Sequence, residues 1–283
     1  MSSIISDSYL ERLAFIDLVS RGKVPGHSLV DKFGQNFEIT SSSDPEDVVE
    51  FGGLMVYDAD GTAPIAYVSS SNNSDTQTIK VYGADIDGNE VSQLVTLTGQ
   101  TNVTLSTALF RVYRIEASMN TTECEGTVYV HTDASPTAGV PATANIRAIV
   151  DGTKNPLARA NQTLMAVYTI PAGKVGFLYR GEVGIALDGN AAALAEFAVV
   201  HYRLRKYGQV FATKKELTLQ VGGSSIFQDE KAFPEIIPAR SDLRTTVIEV
   251  SADMGVWATF NVMLVDEKYI PDTKLAAIGQ PGY

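Results

Sequence analysis

The stretch Asn161-Gln-Thr-Leu-Met-Ala-Val-Tyr-Thr-Ile-Pro-Ala-Gly-Lys-Val-Gly-Phe-Leu-Tyr-Arg-Gly-Glu-Val-Gly-Ile-Ala-Leu187 organises the reading of the chain. Leu164, Ala166, Tyr168 and Ile170 alternate with Met165, Val167 and Thr169, the period of two that a pleated strand imposes. Pro171-Ala172-Gly173 supplies a fixed φ and then a residue that tolerates positive φ, so the chain turns and Val175, Phe177 and Tyr179 run back. The spacing predicts a β-hairpin. A sheet face this apolar needs other strands to cover it, which the flanking sequence must provide.

At 283 residues the chain suggests two domains of roughly 100–130 residues each. Hydrophobic residues make up 45% and charged residues 19%, a globular balance far from that of disordered chains. Lysine and arginine number 22 against 33 aspartates and glutamates, and the net charge of −11 repels phosphate backbones, which argues against nucleic acid as a partner. The single cysteine, Cys124, permits no internal disulfide, and its neighbours Glu123 and Glu125 disfavour a thiolate. No apolar run approaches the 18–20 or so residues that cross a bilayer, and Asp17 interrupts the N-terminal apolar segment, so neither a membrane span nor a signal peptide is expected. These features predict a soluble protein made in a reducing cytoplasm.

Ser8-Tyr-Leu-Glu11 has the pattern of a capping box, and a helix is predicted from about Tyr9 to Arg21, closed by Gly22. Its apolar residues, including Leu10, Leu13, Phe15 and Leu18, lie nearly all round the cylinder, so the helix wants cover on more than one side. Either it is buried in its own domain or it is an arm docked on a neighbouring subunit. The following Gly22–Gly34 segment, punctuated by glycine and proline, is predicted as an irregular connector.

That connector also carries a resemblance. The run Gly22-Lys-Val-Pro-Gly-His-Ser-Leu-Val-Asp-Lys-Phe-Gly34, with Phe37-Glu-Ile and an acidic stretch ending in Phe51-Gly-Gly, resembles the opening of a family of virion structural proteins of tailed bacteriophages. The likeness continues through Val68-Ser-Ser-Ser71, Ile79-Lys-Val-Tyr-Gly-Ala-Asp85, Thr96-Leu-Thr-Gly99 and Tyr168-Thr-Ile-Pro-Ala-Gly-Lys174, and so covers most of the chain. It implies a structural role in a virion, made in the host cytoplasm, and no active-site motif accompanies it.

From about Phe37 to Thr132 short strands alternate with turn signals, as an antiparallel sandwich requires. Ile79 and Val81 match Val91, Val95 and Leu97 across the turn Asp85-Ile-Asp-Gly-Asn89. Residues 134–143, with Pro136, Gly139 and Pro141, read as the linker between a first sandwich over 37–133 and a second over 144–266. In the second, Phe197–Lys206 sends Ala198, Val200, Tyr202 and Leu204 to one face and His201, Arg203 and Arg205 to the other. Val256–Val265 likewise sends Val256, Ala258, Phe260, Val262 and Leu264 inward, with Trp257, Thr259, Asn261 and Met263 on the opposite face. Residues 1–36 form the helix and connector arm, and 267–283 an extended tail.

Signals of chemistry are sparse. Asp58-Ala-Asp-Gly61 and Asp85-Ile-Asp-Gly88 match the first ligands of a calcium loop but lack the rest, and read as β-turns. His27, His131 and His201 share no metal-binding spacing. Gly222-Gly-Ser-Ser225 is no nucleophile elbow, and Gly152-Thr-Lys and Gly173-Lys-Val are no phosphate loop. No cofactor, no metal and no enzymatic activity are expected. His201, Arg203 and Arg205 form a cationic row that either keeps sheets from sticking or pairs with an acidic partner surface. Trp257 is either a contact anchor or packs under a loop.

The predicted fold is all-β: two tandem antiparallel sandwiches with a short N-terminal helix and an extended C-terminal tail. The expected role is a capsid decoration or cement protein. It would bind the major capsid protein or other virion subunits and form a homo-oligomer, through Leu10, Leu13, Phe15, Leu18, His201, Arg203, Arg205 and Trp257. A tail or neck component and a glycan-binding adhesion module are the alternatives.

Overall fold

Residues 15–41, 45–153, 161–187, 196–220 and 226–271 are described by the computed structural model of the chain. The strands in chain order are β1 (His27–Ile39), β2 (Glu46–Asp47), β3 (Ile65–Ser70), β4 (Thr78–Ala84), β5 (Glu90–Thr96), β6 (Val103–Leu109), β7 (Arg111–Glu116) and β8 (Val128–His131). They continue with β9 (Ile146–Val150), β10 (Val167–Thr169), β11 (Lys174–Leu187), β12 (Phe197–Arg205), β13 (Ala212–Gln220), β14 (Ile226–Ile237), β15 (Asp242–Val250) and β16 (Met254–Asp266). Every pairing between them is antiparallel. Among the described residues the chain is all-β, with one short α-helix at residues 15–20 and two 3-10 turns at Thr143–Asn145 and Glu267–Tyr269.

Two sandwiches result. One packs the sheet β6-β3-β8-β9 on β5-β4-β7 around Ile65, Val68, Ile79, Leu109, Ile115 and Val128. The other packs β1-β16-β11-β14 on β10-β15-β12-β13 around Val200, Leu219, Ile237, Val256, Phe260 and Leu264. Here the period-of-two readings hold. β12 buries Ala198, Val200, Tyr202 and Leu204 in turn, and β16 does the same with Val256, Ala258, Phe260, Val262 and Leu264. The β4–β5 hairpin also forms as read, with Ile79 opposite Val95, Asp85 accepting from the backbone N–H of Asp87 and Asn89, and Gly88 at positive φ.

The chain boundaries differ from the sequence reading. β1 pairs with β16 from His27 to Ile39, so the Gly22–Gly34 connector runs straight into a strand of the second sandwich and is no free arm. Polar side chains hide this strand: Lys32 and Asn36 stand where an alternation count looks for apolar residues, yet both are buried. At the other end β9 pairs with β8, and residues 134–143 are the loop between them. The glycine and prolines there serve a tight turn, with Thr137 and Val140 bonded to each other, and not a linker. The first sandwich is therefore inserted between β2 and β10 of the second.

The Asn161–Leu187 stretch is no hairpin either. β10 pairs with β15 and β11 with β16 and β14, so the Pro171–Gly173 turn carries the chain from one sheet of the sandwich to the other. The backbone N–H of Ile170 donates to Ser241 and that of Arg240 donates to Ile170, which holds β10 away from β11. Thr163 to Ile170 are all buried, because their two faces meet two cores. Ala166, Tyr168 and Ile170 lie in the second sandwich's core, whereas Met165 and Val167 lie in the first's. At Gly34, β1 crosses this segment so closely that a Cβ there would stand 2.0 Å from the Ala166 nitrogen.

Gly22 ends the N-terminal helix as read, with φ +65° and the bonds Gly22 N–H to Val19 O and Lys23 N–H to Leu18 O, both 2.9 Å, of a Schellman motif. The Ser8–Glu11 cap, Leu10 and Leu13, the Gly222–Ser225 segment and the tail beyond Pro271 lie outside the described residues.

Candidate assembly surfaces

The densest polar chemistry lies where the sandwiches meet. Asp242, at the start of β15, has no exposed surface. It accepts Arg111 Nε at 3.0 Å and Nη2 at 3.3 Å, Arg205 Nε at 2.8 Å and the Thr169 hydroxyl at 2.6 Å. Arg111 belongs to β7 of the first sandwich, and Arg205 and Thr169 to the second, so one carboxylate joins both. Bidentate guanidinium contacts of this kind fix orientation as well as distance.

The Asp58-Ala-Asp60 turn completes the junction. Asp60 lies 3.0 Å from Arg205 and 3.5 Å from Arg111, and it accepts the Gly208 N–H at 2.7 Å. Asp58 takes Arg147 of β9 in a bidentate pair at 2.7 and 2.8 Å. What reads as a plain β-turn with calcium-like spacing is a two-way clasp whose carboxylates are held by guanidinium groups. A sequence shows the aspartates but not the distant arginines that meet them. Beside the clasp, Asp47 is fully buried and accepts Arg244 at 3.0 Å, the Thr246 hydroxyl at 2.6 Å and the Met55 N–H at 2.8 Å. Burial pushes its carboxyl above the usual range while Arg244 opposes that shift. Tyr57 and Phe211, 4.9 Å apart in an edge contact, lie against these arginines.

This arrangement corrects the reading of the cationic row on β12. Arg205 is engaged by Asp242 and Asp60, and His201 Nε2 meets Glu216 at 2.8 Å with the Thr213 hydroxyl at Nδ1. Arg203 stands directly across from Arg244 in register, and burial together with that neighbour holds its guanidinium below its usual pKa. The row is engaged within the chain: Arg205 by Asp242 and the Asp60 loop, and His201 by Glu216 and Thr213 of β13.

Three buried groups bear on chemistry. The Ser69 hydroxyl lies 3.0 Å from His131 Nε2, a spacing that suggests an activated nucleophile. His131 Nδ1, however, accepts the Asp133 N–H, and Ser69 donates to the Gly139 carbonyl, so Nε2 carries the proton and points it at serine. Burial lowers the His131 pKa to about 4. A buried serine facing the N–H of a neutral ring has no base, so the pair is structural. Glu50 and Asp151, with Asn36, Glu38 and Phe51, border a cavity of about 250 Å³ at the seam between the sandwiches. Burial first, then the nearby Asp151 carboxylate, raises the Glu50 pKa to about 8, while the Leu164 N–H at 3.0 Å works against this. Cys124 is buried, which pushes its thiol up to about 12 and leaves it inert.

The remaining predicted contact residues fall on two surfaces. Phe15 and Leu18 are exposed on the helix at 39% and 45%, with the Phe15 ring edge-on to His27 and His27 beside Tyr269. Trp257 lies on the outward face of β16, its ring covering Gly184 on the neighbouring β11, where a Cβ would stand 2.3 Å from the indole. That pairing explains the glycine: the indole fills the place a side chain would take.

No family model and no curated protein matches the chain. Among solved structures there is a faint likeness to the infectious bursal disease virus Gt strain, at 11% identity over 91% of this chain and 79% of that one, with a TM-score of 0.21. The VP2 subviral particle of infectious bursal disease virus aligns at 13% identity over 89% and 76%, with a TM-score of 0.18. Likenesses at these scores support no argument about this chain.

Proposed function

We propose that this chain is a structural subunit of a tailed-phage virion, most simply a decoration or cement protein seated on the outside of the shell and bound to the major capsid protein and to its own copies. The observation that carries the reading is the resemblance distributed from Gly22 to Lys174. The geometry agrees with it in kind. Buried carboxylates and guanidiniums are directed at one another, and the Arg111–Asp242 contact ties the two sandwiches together, which suits a rigid building block. On this reading the chain is not an enzyme.

Quantitative mass spectrometry of purified virions tests the proposal. Hundreds of copies per particle are expected for a shell protein. A dozen or so would move the chain to the tail or neck, and its absence from the particle would end the structural reading.

A further inference from the structure

The outward face of the β1-β16-β11-β14 sheet carries a pattern that solubility does not require. Leu29, Met263, Phe177 and Ile236 stand in register as one row across all four strands. Asp31, Asn261 and Arg180 lie in the next row, Phe33, Thr259, Glu182 and Gln228 in the third, and Gln35, Trp257, Gly184 and Ile226 in the fourth. A β-bulge between Leu178 and Arg180 keeps Arg180 on this face. Apolar side chains thus stand at both ends of a face whose middle carries Asp31, Arg180 and Glu182, and Phe33, Ile236 and Ile226 are 40%, 44% and 55% exposed. Contiguous exposed apolar rows mark contact surfaces.

We propose that this face is a two-fold interface with a second copy of this chain. The argument is one of complementarity. A two-fold axis lying in the face and running across the strands, between the second and third rows, sets the first row of each copy against the fourth row of the other. On β16 Met263 then meets Trp257 and on β14 Ile236 meets Ile226, while at the β1 edge Leu29 meets Gln35 and Asp31 meets Phe33. The same operation sets Arg180 of each copy against Glu182 of the other. Within one copy Arg180 and Glu182 are already ion-paired, so the two pairs close into an alternating cluster of four charges. Size agrees: four strands about 4.8 Å apart and 13 residues long at about 3.3 Å each present about 800 Å². That equals the roughly 800 Å² each partner contributes to a stable interface. Sheets stacked this way lie about 10 Å apart with nearly aligned strands. The inference deepens the subunit reading without depending on where the subunit sits. A monomeric chain found in virions would sink the pairing alone, and a dimeric chain absent from virions would sink the subunit reading alone.

The test is sedimentation of the purified full chain over a concentration series, with Arg180→Glu and Glu182→Arg made separately. Each variant sets like charges against each other across the axis and is expected to self-associate at least tenfold more weakly. Mixed in equal amounts, the two variants restore opposite charges at both contacts, and association is expected to return to near the wild-type level. Ile236→Asp, at the far end of the face, is expected to weaken association at least tenfold with unchanged circular dichroism, and it decides the matter alone if a charge variant fails to fold. Wild-type protein that stays monomeric throughout, charge variants that associate like wild type, or a mixture no stronger than its components would each overturn the proposal.

Discussion

Arg111 and Asp242 lie 131 positions apart in sequence, on different sandwiches, and meet through two hydrogen bonds with both side chains buried. Arg205 donates to the same carboxylate. Removing the carboxylate takes from both guanidiniums their buried acceptor and leaves Asp60, at 3.0 and 3.5 Å, as the carboxylate beside them. Asp242→Ala is therefore expected to destabilise the chain by about 3–5 kcal/mol in urea unfolding. The double variant Arg111→Met with Asp242→Leu should cost much less than the sum of the single changes, because no charge of the direct pair is then left buried. Additive losses would show that the two residues act separately.

The Glu50 carboxyl is expected to make stability depend on pH. Its pKa is about 8 in the fold against an ordinary 4.5. Between those values the unfolded chain has released the proton that the folded chain keeps, so stability falls as pH rises from 4.5 to 8 and the contribution is flat above that. Glu50→Gln removes the titration. Its unfolding temperature should gain on wild type by several degrees between pH 5 and pH 8, at about 2–4 °C per kcal/mol. Parallel curves for the two proteins would contradict this.

Lys32 is expected to act in the opposite sense at higher pH. Its ammonium is buried, donates to the Tyr113 carbonyl at 2.7 Å, and has its pKa lowered from 10.5 to about 7, by burial and then by Arg114. Between pH 7 and 10.5 the unfolded chain holds a proton that the folded chain lacks, so this residue makes stability rise with pH across that window. Lys32→Met should abolish the rise, measured as the difference in unfolding temperature between pH 7 and pH 10.

Two glycines separate crowding from backbone conformation. A Cβ at Gly34 would meet backbone atoms at 2.0 Å (Ala166 N) and 2.6 Å (Met165 C and Val48 O), none of which can swing aside. Gly34→Ala is expected to cost about 3 kcal/mol or more, or to prevent folding. Gly173 has open space around it but a φ of +70°, so Gly173→Ala should cost only about 1–2 kcal/mol. Equal losses at the two sites would refute the close crossing of β1 over residues 165–166.

Truncation separates helix from strand. Removing residues 1–26 leaves β1 whole and is expected to give a folded β protein by circular dichroism. Removing residues 1–34 strips most of β1 from β16 and should unfold the second sandwich. A folded 35–283 fragment would mean that β1 is dispensable.

Local pattern determined much of this protein. Alternation in Phe197–Arg205 and Met254–Asp266 marked the inward faces of β12 and β16, because a pleated strand with one buried face writes its burial into every second residue. Asp85 to Asn89 marked its hairpin, because turn geometry is a matter of a few adjacent residues. Partnership was not legible. The Leu164–Ile170 alternation was visible, but only the assembled chain shows that its two faces serve two cores. β1 is hidden in the sequence because Lys32 and Asn36 are buried against the Tyr113 carbonyl and Glu46. The free-looking row of Arg203 and Arg205 is closed by loops that arrive from elsewhere, with Asp60 lying 145 positions from Arg205. Strand pairing and ion pairing are contacts between residues far apart in the chain, and their energy depends on positions that no local period encodes.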